Sequence, residues 1–289
     1  RRVKVFDETF FKKLRPETGA AGEKSAADGA HAPQAIAPRA AGLRSSKGVL
    51  MEKVIVFDLG GTLMEYEGMP LSWLAYYPKG LAAVNEAFAL ELTGEEIARS
   101  VEVLKGYNPR YFPRKEEIPP EKIFGDAIRH WRKKPPVEQV IAQFFGGMKL
   151  SPRIYADTAP ALSLLKEAGY GIACLTNLPS GMPDALFREG IQGLEEKLDY
   201  YLSSELCGFR KPHPAGLDRI AQEFNVPVES LLFVGDERLD METAENAGCS
   251  FARIARTKGA TSWKGERLFA GVGELASQII KSLDFTPLK

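Results

Sequence analysis

From Thr158 onward the chain alternates segments of helical period with short apolar runs: TAPALSLLKEAG then GIACLTN, PDALFREG then YYLSS, AGLDRIAQEF then SLLFVGD, METAENAG then SFARIA, and finally GVGELASQIIKSL. Apolar, β-branched runs with no polar alternation suit strands buried on both faces, and such strands separated by amphipathic helices build a parallel sheet with helices on either side. The expected fold class is therefore α/β, with a doubly wound parallel sheet as a Rossmann-like core. In such a sheet polar residues gather at the carboxyl ends of the strands, beside the topological switch point. Earlier in the chain, VIVF runs into Asp58 and then Gly-Gly-Thr. That reads as a further buried strand delivering a carboxylate to a tight turn, a position that suits a nucleophile or a metal ligand.

Composition narrows the partners. Residues 1 to 50 hold ten Lys or Arg against five acids, leaving 28 against 33 for the rest, so the body is mildly acidic beneath a formal charge of zero. Nucleic acid needs a concentrated basic surface and is not expected as a partner. No apolar run approaches the roughly 18 to 20 residues that span a bilayer, so no membrane segment is expected. Cys174, Cys207 and Cys249 are odd in number and lie in or beside apolar strand patterns; buried, reduced thiols in a cytoplasmic protein are the simpler reading.

Residues 17 to 50 are dominated by Ala, Gly, Ser and Pro and cannot bury enough apolar surface to offset their ordering entropy. Residues 1 to 50 are read as a disordered extension or a non-native one, with Met51 a candidate start. The basic RRVKVFDETFFKKLR also raises a targeting arm, which the acids within it disfavour. Between Leu71 and Leu150 the pattern is helical, broken by NPRYFP, IPPEK and KKPPVE, and Thr93 with Glu96 forms a capping box.

Four stretches share one order: FDLGGTL with Asp58, LTN with Thr176 and Asn177, FRKPHP with Lys211, and VGDERLD with Asp236 and Asp240, the last running into a helix that ends at Ala-Gly. Together, over about residues 51 to 285, they resemble the haloacid dehalogenase superfamily of phosphohydrolases, whose signature is an Asp nucleophile in a DxDGT loop, a Thr or Ser, a Lys and a late acidic pair. The resemblance implies a core of residues 51–65 and 151–289, and an inserted α-helical cap of residues 66–150 that covers the active site and selects substrate. It also implies hydrolysis of a small phosphorylated metabolite through an aspartyl-phosphate on Asp58.

A phosphate ester repels an anionic nucleophile, so a carboxylate attacking it needs a cation that neutralises both, and Mg²⁺ suits oxygen ligands. By resemblance the ligands are Asp58, Asp236, Asp240 directly or through water, and the main chain of Gly60. Lys211 would pair with Asp58 and the phosphoryl oxygens. Thr176 would bond a phosphoryl oxygen, with the amides of Gly61, Thr62 and Asn177 as further donors. His213 is expected only to shape the Lys-Pro-His-Pro turn.

The departure is Gly60, which stands where the family carries the second Asp, the general acid and base. Four outcomes follow. Another residue serves, with Glu65, Tyr66, Glu67 and His130 as candidates; the leaving group needs no acid; the chemistry differs; or the protein binds without turnover. Different chemistry means a phosphonate (C–P) hydrolase using Lys79 or Lys105 as a Schiff base, or a dehalogenase-type reaction, which the late acids disfavour. Residues 105 to 134 contain nine Lys or Arg and four acids. Arg110, Arg114, Arg129, Arg132, Lys133 and Lys134 can meet a substrate's anionic end or form a solvated face. Tyr107, Tyr111, Phe112 and Trp131 are read as cap core ahead of pocket lining. Substrate identity and oligomeric state are not encoded in these patterns.

Overall fold

A computed structural model describes residues 53–68, 72–256, 263 and 267–282. The expected extension over residues 1–50 lies outside them. The strands are β1 (Val54–Phe57), β2 (Met64–Tyr66), β3 (Pro152–Ile154), β4 (Gly171–Thr176), β5 (Tyr200–Ser203), β6 (Leu231–Gly235), β7 (Ser250–Ile254) and β8 (Leu268–Phe269). Six of these form one sheet in the order β5-β4-β1-β6-β7-β8, every pairing parallel. β1 sits between β4 and β6, with Phe57 level with Cys174 on one side and Val234 on the other. The connections run to opposite sides of β1, so its carboxyl end is the switch point.

Strand alternation divides the core into two faces. Ile55 and Phe57 pack with Leu162 and Leu165 of α5 (Thr158–Glu167) and Leu275 and Ala276 of α10 (Val272–Ser282). Val54 and Val56 pack on the other face with Leu217 and Ile220 of α8 (Ala215–Phe224) and Ala244 of α9 (Arg238–Ala247). Two further helices, α6 (Asp184–Glu195) and the short α7 (Ser204–Cys207), flank β5 in sequence.

Before these, α1 (Tyr77–Ala87), α2 (Gly94–Gly106), α3 (Pro120–Ala127) and α4 (Val137–Met148) form an insertion between β2 and β3. Its centre is aromatic: Phe124 and Phe144 meet at 4.9 Å between ring centroids, and Trp131, 1% exposed, donates its indole N–H to Ser100 Oγ at 2.9 Å. Thr93 caps α2 reciprocally with Glu96, as the capping box requires. The insertion leaves and returns through an antiparallel ribbon, β2 on β3, with Met64 opposite Ile154 and Tyr66 opposite Pro152.

Thr158 is the first residue of α5, with Asp157 at the N-cap, and Thr158 Oγ1 donates to the carbonyl of Leu63 at 2.8 Å. Lys211 stands on a loop after α7, because β5 stops at Ser203 and Ser203 Oγ accepts the amide of Leu206 to start a helical turn. No helix among the described residues is long and apolar enough to cross a membrane. The three cysteines are free thiols, with Cys174 buried in β4.

Candidate active site

Asp58 follows β1, and its own amide donates to the carbonyl of Val234 on β6 at 2.8 Å. That bond holds the Asp58 turn against the strand that ends before Asp236. Lys211 Nζ lies 2.6 Å from Asp58 Oδ1 and 2.6 Å from Asp240 Oδ1. All three side chains are nearly sealed from solvent. Asp240 is in the first turn of α9, where its Oδ2 accepts the amides of Asp236 at 3.1 Å and Glu237 at 3.0 Å. A carboxylate at a helix N-terminus is favoured by the dipole and the unpaired amides there. Asp236 completes the group: one carboxylate oxygen from each of Asp58, Asp236 and Asp240 lies within 4.8 Å of the others. Thr62 Oγ1 donates to Asp236 Oδ1 at 3.3 Å.

Two buried carboxylates and a half-buried third against one ammonium make a strongly anionic centre. Burial pushes the Asp58 carboxyl up to about 7, opposed by Lys211 and reinforced by Asp240. Burial, then the charges of Asp58 and Asp240, raise Asp236 well above the usual carboxylate range. Burial alone would lower Lys211, but Asp240 and Asp58 outweigh it and keep the ammonium charged beyond the ordinary lysine range. An all-oxygen donor set with excess negative charge fits a hard divalent cation. The residues present therefore fit a metal, with Asp58, Asp236 and Asp240 as its holders.

These shifts have a measurable consequence. The folded chain holds protons on Asp58 and Asp236 more tightly than the unfolded chain does, so metal-free stability falls as pH rises from about 4 toward 7. A divalent cation must displace those protons, so its stabilisation should grow with pH. At saturating Mg²⁺ we expect a rise in Tm of roughly 5–10 °C near pH 8 and a much smaller one near pH 5.5. An equal shift at both, read by calorimetry, would contradict the metal assignment.

Thr176 ends β4, 4% exposed, on the same carboxyl edge of the sheet as Asp58. Asn177 is joined to the lysine loop: Lys211 N donates to its Oδ1 at 2.9 Å, and its Nδ2 donates to Lys211 O at 3.2 Å. Gly61 adopts φ +76°, and a Cβ there would lie 2.2 Å from Asp236 Oδ2, so the turn needs glycine at that position. Gly60 differs. It is exposed, its φ is outside the left-handed region, and an added Cβ would meet nothing within 4 Å.

Of the four candidates for an acid in place of Gly60, three are engaged elsewhere. Glu65 is bonded to Arg153, and to Tyr155 Oη at 2.9 Å; these hydrogen bonds, Arg153 first, hold its carboxyl below the ordinary range. Tyr66 packs edge-on against Trp73 and Phe187, and burial raises its phenol. His130 Nε2 meets the carbonyl of Glu96 at 2.9 Å, while Glu67 is exposed. The two lysines considered for a Schiff base are also occupied. Lys79 Nζ caps the end of α4 through Met148 O at 3.3 Å, and Lys105 pairs with Glu102 along α2.

Of the basic residues in the insertion, Arg132, Lys133 and Lys134 are exposed, and Arg129 pairs with Asp126 on the surface. Arg110 reaches the core, with Nη2 2.5 Å from Glu237 Oε1 beside Asp236. Arg114 bonds Glu117 at 3.2 Å and Ser180 Oγ at 3.0 Å. Tyr107 is half-buried; Tyr111 and Phe112 are 47% and 56% exposed and so are not insertion core, unlike Trp131. Sequence reasoning missed Arg256, whose Nη2 and Nε donate to Thr62 O at 2.5 and 3.1 Å while its guanidinium lies 3.6 Å over the Tyr155 ring. A single arginine past a strand end carries no local signal.

A doubly wound parallel sheet that brings three carboxylates and a lysine to its switch point defines an α/β enzyme with an acidic, cation-ready centre. The family description "haloacid dehalogenase-like hydrolase" matches residues 52–248, and the chain belongs to that family of hydrolases. It is 29% identical over 208 residues to a phosphoglycolate phosphatase of Vibrio cholerae, a match covering 68% of this chain and 81% of the relative. A phosphoglycolate phosphatase of Aliivibrio fischeri is 34% identical over 113 residues, covering 37% and 46%. Among solved structures, a 2-haloacid dehalogenase from Pseudomonas syringae pv. Tomato DC3000 aligns with a TM-score of 0.58 at 17% identity, covering 81% of this chain and 100% of that one. A HAD phosphatase from Thermococcus onnurineus aligns with a TM-score of 0.54 at 18% identity, covering 78% and 97%. At such identities the two structures speak for the fold.

Proposed function

We propose that the chain is a Mg²⁺-dependent phosphohydrolase for a small phosphorylated metabolite, working through an aspartyl-phosphate on Asp58 in a cytoplasmic setting. The observation that carries this reading is the bridging position of Lys211, 2.6 Å from both Asp58 and Asp240, beside a third carboxylate. Lys211 orients one Asp58 oxygen, leaving the other for in-line attack on phosphorus. Asp240, pinned by two backbone amides, holds Lys211 from the far side. Thr176 and the amide of Asn177 offer neutral donors to the phosphoryl oxygens, whereas the expected amides of Gly61 and Thr62 are spent within the turn, on Met64 O at 2.8 Å and Leu59 O at 3.2 Å. Bound at Asp58, Asp236, Asp240 and the Gly60 main chain, Mg²⁺ would supply the charge neutralisation that lets a carboxylate approach a phosphate. On this reading the helices of residues 66–150 act as a cap over this centre, and residues 51–65 and 151–289 together make the core.

Phosphoglycolate phosphatase relatives make a phosphorylated small carboxylate the first substrate to try. Gly60 supplies no proton, so good leaving groups should react best. Phosphate release from an acyl phosphate, an aryl phosphate and 2-phosphoglycolate, each with Mg²⁺ or excess chelator, tests both points. We expect Mg²⁺-dependent release, faster for the acyl and aryl compounds by roughly 10²-fold or more; release that survives chelation sinks the reading. A second reading, a phosphometabolite-binding protein of weak activity, draws on the engagement of Glu65 and His130 away from this role. Tight Mg²⁺-linked binding without turnover on any compound would select it. Carbon–phosphorus cleavage is not favoured, since Lys79 and Lys105 are committed to structural contacts.

A further inference from the structure

Glu117 lies in the helical insertion between α2 and α3, yet its side chain is only 8% exposed and points into the core. Its Oε2 accepts from Ser204 Oγ at 2.5 Å and from Arg210 Nη1; its Oε1 accepts from Arg114 Nη2 at 3.2 Å and its neighbour's amide, Ile118 N, at 3.0 Å. The main chain is pinned too: Glu117 N donates to Gly208 O at 2.9 Å and Arg210 N to Lys115 O at 2.7 Å.

Two partners of Glu117, Ser204 and Arg210, continue toward the carboxylate–lysine centre. Ser204 Oγ also accepts the amide of Leu178 at 3.0 Å, and Arg210 Nη2 donates to the carbonyl of Leu178 at 2.9 Å. Both backbone groups of Leu178 are thereby fixed, one residue beyond Asn177 and two beyond Thr176. Arg210 in turn directly precedes Lys211, whose amide and carbonyl are both bonded to the Asn177 side chain. A buried carboxylate flanked by two guanidiniums is costly unless fully bonded, and here every acceptor position is filled.

We propose that Glu117 is a positioning residue for catalysis: from the insertion it sets, through Ser204 and Arg210, the placement of the Thr176–Asn177 turn and of the Lys211 ammonium. This rests on the reading of those residues as the phosphate site. A guanidinium pair held by one carboxylate transmits displacement rigidly, and misplacing catalytic groups by about 1 Å costs on the order of 10²-fold. The contact also explains why this side of the insertion is bound to the core by main-chain bonds.

The test uses the full chain with Mg²⁺, para-nitrophenyl phosphate as substrate, and inorganic phosphate as a binding probe too small to touch the insertion. Glu117→Gln should lower kcat by roughly 10- to 100-fold with KM changed far less, and weaken inorganic phosphate about tenfold. Asn177→Ala removes the side-chain bonds that tie the Thr176–Asn177 turn to the lysine loop, so its loss and that of Glu117→Gln should combine less than multiplicatively; a role in folding alone would make the two losses multiply. If Glu117→Gln does not fold, Ser204→Ala removes the relay hydroxyl alone and should lower kcat about three- to tenfold. Folded variants with kcat and phosphate affinity within twofold of wild type, or strictly multiplicative losses, overturn the proposal. A wild-type protein that neither turns over para-nitrophenyl phosphate nor binds phosphate overturns the proposed function itself, and the positioning role with it.

Discussion

Asp58→Asn should lower phosphate release by roughly 10³-fold or more, because the amide keeps the shape of the carboxylate and loses its nucleophilicity. The amide oxygen can still accept from Lys211, so phosphate binding should survive while turnover stops. The same change removes one of three crowded carboxylates whose burial raises Asp58 to about 7. Metal-free Asp58→Asn should therefore melt a few degrees above wild type near neutral pH, and below about pH 5, where the wild-type side chain is protonated, the advantage should vanish. Paired assays of release and melting check both halves. Retention of more than about a tenth of wild-type activity would remove Asp58 from the nucleophile's role.

Gly60→Asp should move activity in the opposite direction. General acid help is worth about 10²- to 10⁴-fold, and an alkyl phosphate such as 2-phosphoglycolate has most to gain from it. The backbone leaves room for the substitution: no atom lies within 4 Å of the added Cβ, and the conformation there suits an L-residue. Gly61→Ala is the matched control, expected to fail because its Cβ would drive into Asp236 and because φ +76° strains any side chain. A folded Gly60→Asp protein with lower release on every compound would mean that the open space at residue 60 serves the natural substrate.

Much of this could be read from the residues alone, for physical reasons that differ from place to place. β1, β4 and β6 were legible because strands buried on both faces are written as continuous apolar runs ended by Asp, Thr or Gly. Asp58, Lys211, Asp236 and Asp240 were findable because their order resembles a known family's motifs, and they do converge, with Lys211 as the bridge. β2, β3 and β8 were not legible, since two or three residues carry no period. Glu117 was also hidden, lying 93 positions before Arg210 in a stretch whose acids look like solvated loop. A long-range polar contact leaves no local pattern. The fate of Glu65 depends on Arg153 across the β2–β3 ribbon, a pairing that the helical reading of the intervening residues did not anticipate.

That ribbon has a bearing on how such chains diversify. Because Met64–Tyr66 pairs with Pro152–Ile154, the two ends of the insertion are held side by side whatever lies between them. Loop-closure entropy grows slowly with length, so helices can be lengthened, trimmed or exchanged there without shifting the register of the six-stranded sheet. On the proposed function, bond-breaking chemistry and substrate choice would then be separately heritable, one carried by the sheet edge and the other by a cassette with a fixed socket. A grafted cassette would have to bring a counterpart of Glu117, or leave Arg210 without its buried counter-charge.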